Sequence, residues 1–132
     1  MRRLNNNLET VVHEPPKEMQ RTSVNIPKPL EQQLIEAVIG DGYGMRGKNK
    51  WLCEKLDRFL DFKPDDYVDL IETTRALDVD LKTTTLLTIR YPIEYEERIE
   101  KMIFEVRRVY PGLESLKSNI IRTSIIQGIL RR

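Results

Sequence analysis

The polarity pattern of residues 21–60 recurs, in the same order, over residues 84–132. A shift of 65 residues lays Val24 on Ile89, Ile26 on Tyr91, Pro27 on Pro92, Leu30 on Tyr95, Glu31 on Glu96, Leu34 on Ile99 and Val38 on Ile103. For the last segment the shift grows to 69, pairing Lys48 with Lys117, Asn49 with Ser118, Leu52 with Ile121 and Leu56 with Ile125. Identity is low, so what repeats is element type, order and spacing. A unit of about 45 residues buries too little apolar surface to stand alone, and a lone strand exposes its hydrogen-bonding groups. Two copies in one chain remove both problems, because the strands can pair antiparallel and the four helices can interlock.

Each unit reads as strand, helix, helix. Arg21-Thr22-Ser23-Val24-Asn25-Ile26 alternates polar and apolar, then meets Pro27 and Pro29, which stop a strand and can open a helix. Leu30, Leu34, Ala37 and Val38 predict a helix from about residue 29 to Ile39, ended by the turn Gly40-Asp41-Gly42-Tyr43-Gly44. Asn49 is the expected N-cap of a second helix that carries Leu52, Cys53, Leu56, Phe59 and Leu60 inward. In the second unit Thr85 to Tyr91 is the strand, and Tyr95, Ile99, Met102, Ile103 and Val106 form a helical stripe that ends before Pro111-Gly112. Ser118 is the expected cap of a last helix burying Ile121, Ile125, Ile129 and Leu130. The run Thr83-Thr84-Thr85-Leu86-Leu87 leaves the register of the second strand open to slippage.

Between the units, Pro64-Asp65-Asp66 precedes Tyr67, Leu70, Ile71, Thr74 and Leu77, a spacing that predicts one short helix with acids in its first turn. Residues 1–20 carry Pro15-Pro16 and no sustained period, and read as a flexible arm. The expected plan is therefore an arm over 1–20, units over 21–60 and 84–132, and an acidic, partly helical connector over 61–83. The expected fold is mainly α, with a two-stranded antiparallel ribbon and the two units forming an intramolecular pseudo-dimer.

Composition narrows the chemistry. Cys53 is the only cysteine and His13 the only histidine, so no internal disulfide or cysteine-based zinc site is expected, nor any cofactor, metal or catalytic residue. The net charge of +1 conceals an alternation along the chain. It is 0 over residues 1–20, +2 over 21–60, −4 over 61–83 and +3 over 84–132, so two mildly basic units flank an acidic connector. Apolar runs stay far below the ~20 residues of a membrane span, and no apolar leader opens the chain. A cytoplasmic protein without membrane association is expected.

The segments RTSVNIP with the Leu30 stripe and GKNKWL, then TLLTIRYP with the Tyr95 stripe and KSNII, resemble the ribbon-helix-helix family of DNA-binding proteins. The resemblance covers residues 21–60 and 85–130, most of the chain. Members are normally homodimers of one such unit, and tandem single-chain versions include accessory proteins of plasmid conjugation. The resemblance implies a β-ribbon placed in the major groove, where base edges present a readable donor and acceptor pattern. Strand alternation assigns Arg21, Ser23 and Asn25 of the first strand and Leu86, Thr88 and Arg90 of the second to the reading face. Backbone phosphate would be held at the start of each second helix, around Lys48, Asn49 and Lys50 and around Lys117, Ser118 and Asn119. Leu86 departs from the family's polar readers, and would touch a thymine methyl. The implied partner is duplex DNA, with self-association on adjacent sites left open. The implied role is a transcriptional repressor or an accessory factor at a plasmid or mobile element, and not an enzyme.

Other classes weigh less. A protein-interaction module, such as an antitoxin-like protein, would need a partner-binding tail, and only the arm or the connector is available. Gly42 to Lys48 (GYGMRGK) matches the start of a phosphate-binding loop, but such a loop follows a buried strand, whereas Leu34 to Ile39 reads as an amphipathic helix. Asn49 also stands where the magnesium-binding hydroxyl belongs. Cys53 falls on an inward stripe and is expected in the core. Trp51 is expected to pack at its helix start, and Asp65-Asp66 and Glu96-Glu97 to serve a helix start and a solvated face.

Overall fold

The period-two pattern of the first unit forms strand β1, Met19–Pro27, in which Val24 and Ile26 are buried and Arg21, Ser23 and Asn25 exposed. In a computed structural model, which describes residues 18–77 and 83–131, β1 pairs antiparallel with β2, Thr84–Pro92. The remainder is mainly helical: α1 Lys28–Gly40, α2 Lys48–Leu60, α3 Pro64–Leu77, α4 Tyr95–Val109 and α5 Leu116–Leu130, with a 3-10 turn at Met45–Gly47. Both strands start earlier than the pattern predicts and include the proline that was expected to stop them. Met19 and Gln20, assigned by sequence to the arm, belong to β1. Residues 1–17 of the arm, including His13, and 78–82 of the connector lie outside the described residues, as does the side chain of Leu77.

The register is single and places one unit against the other. Ser23 faces Thr88, with Arg21 opposite Arg90 and Asn25 opposite Leu86. Ser23 and Thr88 are separated by 65 residues, the shift of the sequence repeat, so each is opposite its own counterpart. Leu87, Ile89 and Tyr91 point to the core and Leu86, Thr88 and Arg90 away from it. The slipped alternative would have put Leu86 inside.

Helix boundaries follow local chemistry. Pro29 lies in the first turn of α1, where a missing N–H costs nothing, and α1 ends at Gly40-Asp41. The chain reverses through Gly42 (φ +85°) and Gly44 (φ +72°), positions where a side chain would be strained. Asp65 and Asp66 in the first turn of α3, and Glu96 and Glu97 in that of α4, complement the positive end of the helix dipole. The two expected N-caps are not caps. α2 continues out of the 3-10 turn behind Gly47, and α5 starts behind Ser115, a left-handed residue (φ +55°), so Asn49 and Ser118 both fall inside the first turn.

The helices pack beneath one face of the ribbon. α2 and α5 cross at the centre, where a Cβ on Gly128 would come within 3.0 Å of the Trp51 ring and 2.7 Å of the Lys55 stem. α2 packs on β2 and α5 on β1, while α1 touches α5 and α4 touches α2, so each unit's second helix serves the other unit. The core runs through both: Val24, Ile26, Leu34, Leu52, Leu56 and Phe59 with Ile89, Tyr91, Ile99, Met102, Ile121 and Ile125. Each such aliphatic or aromatic side chain contributes about 1.5–3 kcal/mol when fully buried. Arg98 of α4 ties the units at the rim, bonding Asp57 (2.6 Å) and Asp61 (2.8 Å) at the end of α2. The connector helix α3, without a counterpart in the repeat, covers α5 and α4 with Tyr67, Val68, Ile71 and Thr74. Consequently α5 is buried almost all round, including Asn119, Arg122, Thr123 and Ser124. Thr123 and Ser124 satisfy their hydroxyls on the helix's own carbonyls of Asn119 (2.6 Å) and Ile121 (2.7 Å). Leu130, expected inside, is 71% exposed because α5 has passed the core by then. Among the described residues no helix is long and apolar enough to cross a membrane.

Candidate nucleic-acid interface

The ribbon face turned away from the helices carries Met19, Arg21, Ser23 and Asn25 on β1 and Leu86, Thr88 and Arg90 on β2, and no acidic residue. All six side chains proposed from sequence as base readers lie on this face. Arg21, Asn25, Leu86 and Arg90 are exposed, and Ser23 and Thr88 share a hydrogen bond of 3.1 Å at the centre. Arg21 and Arg90 face each other across the ribbon. Neither guanidinium has a hydrogen-bond or ion-pair partner among the described residues. Like charges directly opposite destabilise a strand pair, so this arrangement costs the fold something and leaves two adjacent cations for an anion or a base edge.

Both strands are held by side chains of the second helices, which bond main-chain groups of Arg90 and Asn25. Asn49 Nδ2 donates to the Arg90 carbonyl (2.8 Å) and Asn49 Oδ1 accepts from the Arg90 N–H (2.9 Å). The Cys53 thiol donates to the same carbonyl at 3.0 Å. Burial pushes this thiol's pKa up, against a smaller opposing effect of the bond from Asn49, which keeps it a protonated donor. With both main-chain groups of Arg90 committed to α2, Arg21–Arg90 is a non-hydrogen-bonded pair, the class in which opposed side chains come closest. At the other end of the ribbon, Arg122 Nε of α5 donates to the Asn25 carbonyl at 2.8 Å. The two braces are related by the repeat: shift 69 carries Cys53 to Arg122, and shift 65 carries Asn25 to Arg90. Equivalent positions thus brace equivalent carbonyls with different chemistry.

The residues proposed to hold phosphate separate into two groups. Lys48 and Lys50 are exposed at the start of α2, beside the Asn49 contact to β2. Asn49 is turned to the ribbon, and acts as a brace. In the second unit Lys117 is paired with Glu96 at 2.8 Å, and Ser118 is half-buried. Asn119 is only 3% exposed, with its amide committed to the Glu114 carbonyl (3.3 Å) and its Oδ1 to Arg122 (2.8 Å). The Asn119 side chain is a core group that positions Arg122, and the residue's backbone N–H donates to the Ser115 carbonyl at 3.0 Å, as the helix ladder of α5 begins.

Arg122, Tyr91 and Glu96 were missed by sequence reasoning as site residues. The signal for Arg122 was a lone charge inside the apolar run Ile120 to Ile126, at the repeat position of Cys53. Trp51 is fully buried, with Nε1 donating to Asp41 at 2.9 Å, so it is a core residue at the helix start. The glycines of GYGMRGK lie in the turn between α1 and α2, preceded by a helix and not by the strand that a phosphate-binding loop requires. Comparison of the chain with models of known families, with curated proteins and with solved structures finds no match.

Proposed function

We propose that the chain is a tandem, single-chain ribbon-helix-helix protein that binds duplex DNA sequence-specifically through the exposed face of its ribbon, and that it is a binding protein and not an enzyme. The observation that carries this reading is the Arg21–Arg90 pair, unpartnered among the described residues, on a two-stranded ribbon that bears no acidic side chain and is braced by α2 and α5. Two strands about 5 Å apart fit a major groove about 12 Å wide, with side chains to spare on both sides. Pairing of Ser23 with its counterpart Thr88, and the matched braces on Asn25 and Arg90, support the two units acting as an internal pseudo-dimer.

In this reading Arg21 and Arg90 address guanine edges, Asn25 an adenine, Ser23 and Thr88 either, and Leu86 a thymine methyl. The halves differ, Arg-Ser-Asn against Leu-Thr-Arg, so the preferred site is an imperfect repeat. Lys48 and Lys50 supply sequence-independent charge toward the backbone. A cytoplasmic repressor and an accessory factor of plasmid or mobile-element transfer use this chemistry alike, and either can associate on adjacent sites.

Selection of bound sequences from random duplex DNA tests the proposal. The wild type should enrich one asymmetric motif, and Arg21→Ala, Asn25→Ala and Arg90→Ala should each relax it at distinct positions, by ~1–3 kcal/mol of discrimination. A wild-type pool with no enriched motif would overturn it.

A further inference from the structure

The repeat places the same two residue types, a glutamate and a lysine, at equivalent positions in both units: Glu31 with Lys48, and Glu96 with Lys117. Only the second pair is closed. Lys117 Nζ lies 2.8 Å from Glu96 Oε1, with both side chains about two-thirds or more buried. Among the described residues Lys48 has no ion-pair partner and is exposed.

Tyr91 accounts for the difference. Its hydroxyl donates to Glu96 Oε1 and shares a 3.1 Å hydrogen bond with Thr22, and its ring lies under the Lys117 ammonium at 5.9 Å. The carboxylate is thereby aimed at the start of α5. The counterpart of Tyr91 in the first unit is Ile26, which has no group to aim Glu31. Burial alone would raise the Glu96 carboxyl, but the bonds from Lys117 and Tyr91 outweigh it and hold that carboxyl below its usual range.

We propose that Glu96 is a built-in counter-ion that occupies the Lys117 clamp, so that the duplex backbone is gripped chiefly through the lysines of the first unit. This rests on the DNA-binding reading above and concerns how the load is divided. A salt bridge already formed within the protein must be broken before Lys117 can displace a counter-ion from DNA, whereas Lys48 releases one on contact. The clamp is therefore one-sided, and Glu96 and Tyr91 are positioning residues that set it.

The test is the slope of log affinity against log salt concentration, measured for the full-length protein on its selected duplex. Lys48→Ala should flatten the slope by about 0.9, the loss of one phosphate contact, and Lys117→Ala by markedly less. Glu96→Gln should raise low-salt affinity and steepen the slope by about 0.9, and adding Lys117→Ala to it should reverse that gain. A merely structural role for Glu96 moves affinity without steepening the slope, and would overturn the inference, as would equal flattening by Lys48→Ala and Lys117→Ala in the otherwise native chain. That last comparison needs no change at Glu96, so it holds even if Glu96→Gln folds poorly. Absence of salt-dependent duplex binding by the wild type would overturn the DNA reading and this inference together.

Discussion

α2 and α5 hold equivalent places in the repeat and are buried to different depths. α2 turns Trp51, Leu52, Leu56 and Phe59 inward and keeps a wet face, whereas α5 is continuously buried from Asn119 to Ile125. The cause is α3, which packs on α5 and α4 and so adds a further layer over α5. Two segments of like element order can thus share one core and still be buried unequally, because the helix between them packs on only one of the two. Ile121→Ala and its counterpart Leu52→Ala probe the shared core. Each should destabilise the protein by about 2–5 kcal/mol, in a single urea transition seen alike by Trp51 fluorescence and by circular dichroism. Trp51 belongs to the first unit, so a fluorescence transition indifferent to Ile121→Ala would mean that the units fold separately.

The braces separate the units by a smaller margin. Replacement of Arg122 by Ala removes its charge-assisted bonds to the Asn25 carbonyl and to Asn119 Oδ1, among its other contacts. A stability loss of about 2–3 kcal/mol is expected, and, under the proposed DNA-binding role, relaxed sequence preference at the position assigned to Asn25. Cys53→Ala removes a neutral thiol donor from a carbonyl that Asn49 still satisfies, and should cost about 1 kcal/mol. Urea denaturation of both variants gives the order. Equal losses would mean that the two braces are interchangeable and that asymmetry stops at the connector.

The first unit was more legible in the sequence than the second, and for the same reason. Leu30, Leu34, Ala37 and Val38 all lie where the helical period put them, because α1 has one apolar and one wet face. In α5 the period vanishes: a helix covered on nearly all sides selects no face, so the pattern singles out neither Leu116 nor Ile120, both buried, and points the exposed Leu130 inward. Alternation predicted the inward Ile89 and Tyr91 and the outward Leu86, and pairing with β1 removed the freedom to slip. Local rules make Asn49 a cap, whereas its amide bonds the backbone of β2, a partner 41 residues away that no local rule contains. The ribbon face was readable from alternation alone. The braces behind it and the Glu96–Lys117 closure depend on contacts between elements, and had no local signature.

The smallest effect expected is also the one most specific to the second unit. The Glu96 carboxyl is held below its usual value of 4.5 in the folded chain, so the folded state binds fewer protons there than the unfolded chain in acid. Such a group contributes stability that is complete above pH 4.5 and is lost as the pH falls through the lower, folded value. Glu96→Gln should therefore flatten the fall in stability below pH 4.5, while near neutrality it costs only the Lys117 and Tyr91 contacts. The alkaline limb is a poorer reporter, since the hydroxyls of Tyr43, Tyr67, Tyr91 and Tyr95 are all raised and contribute to it together. Urea midpoints from pH 3 to pH 6 measure the acid limb directly. Parallel pH profiles for wild type and Glu96→Gln would show that the closed pair contributes nothing to folding, and would leave Tyr91, not charge, as the reason the two units differ.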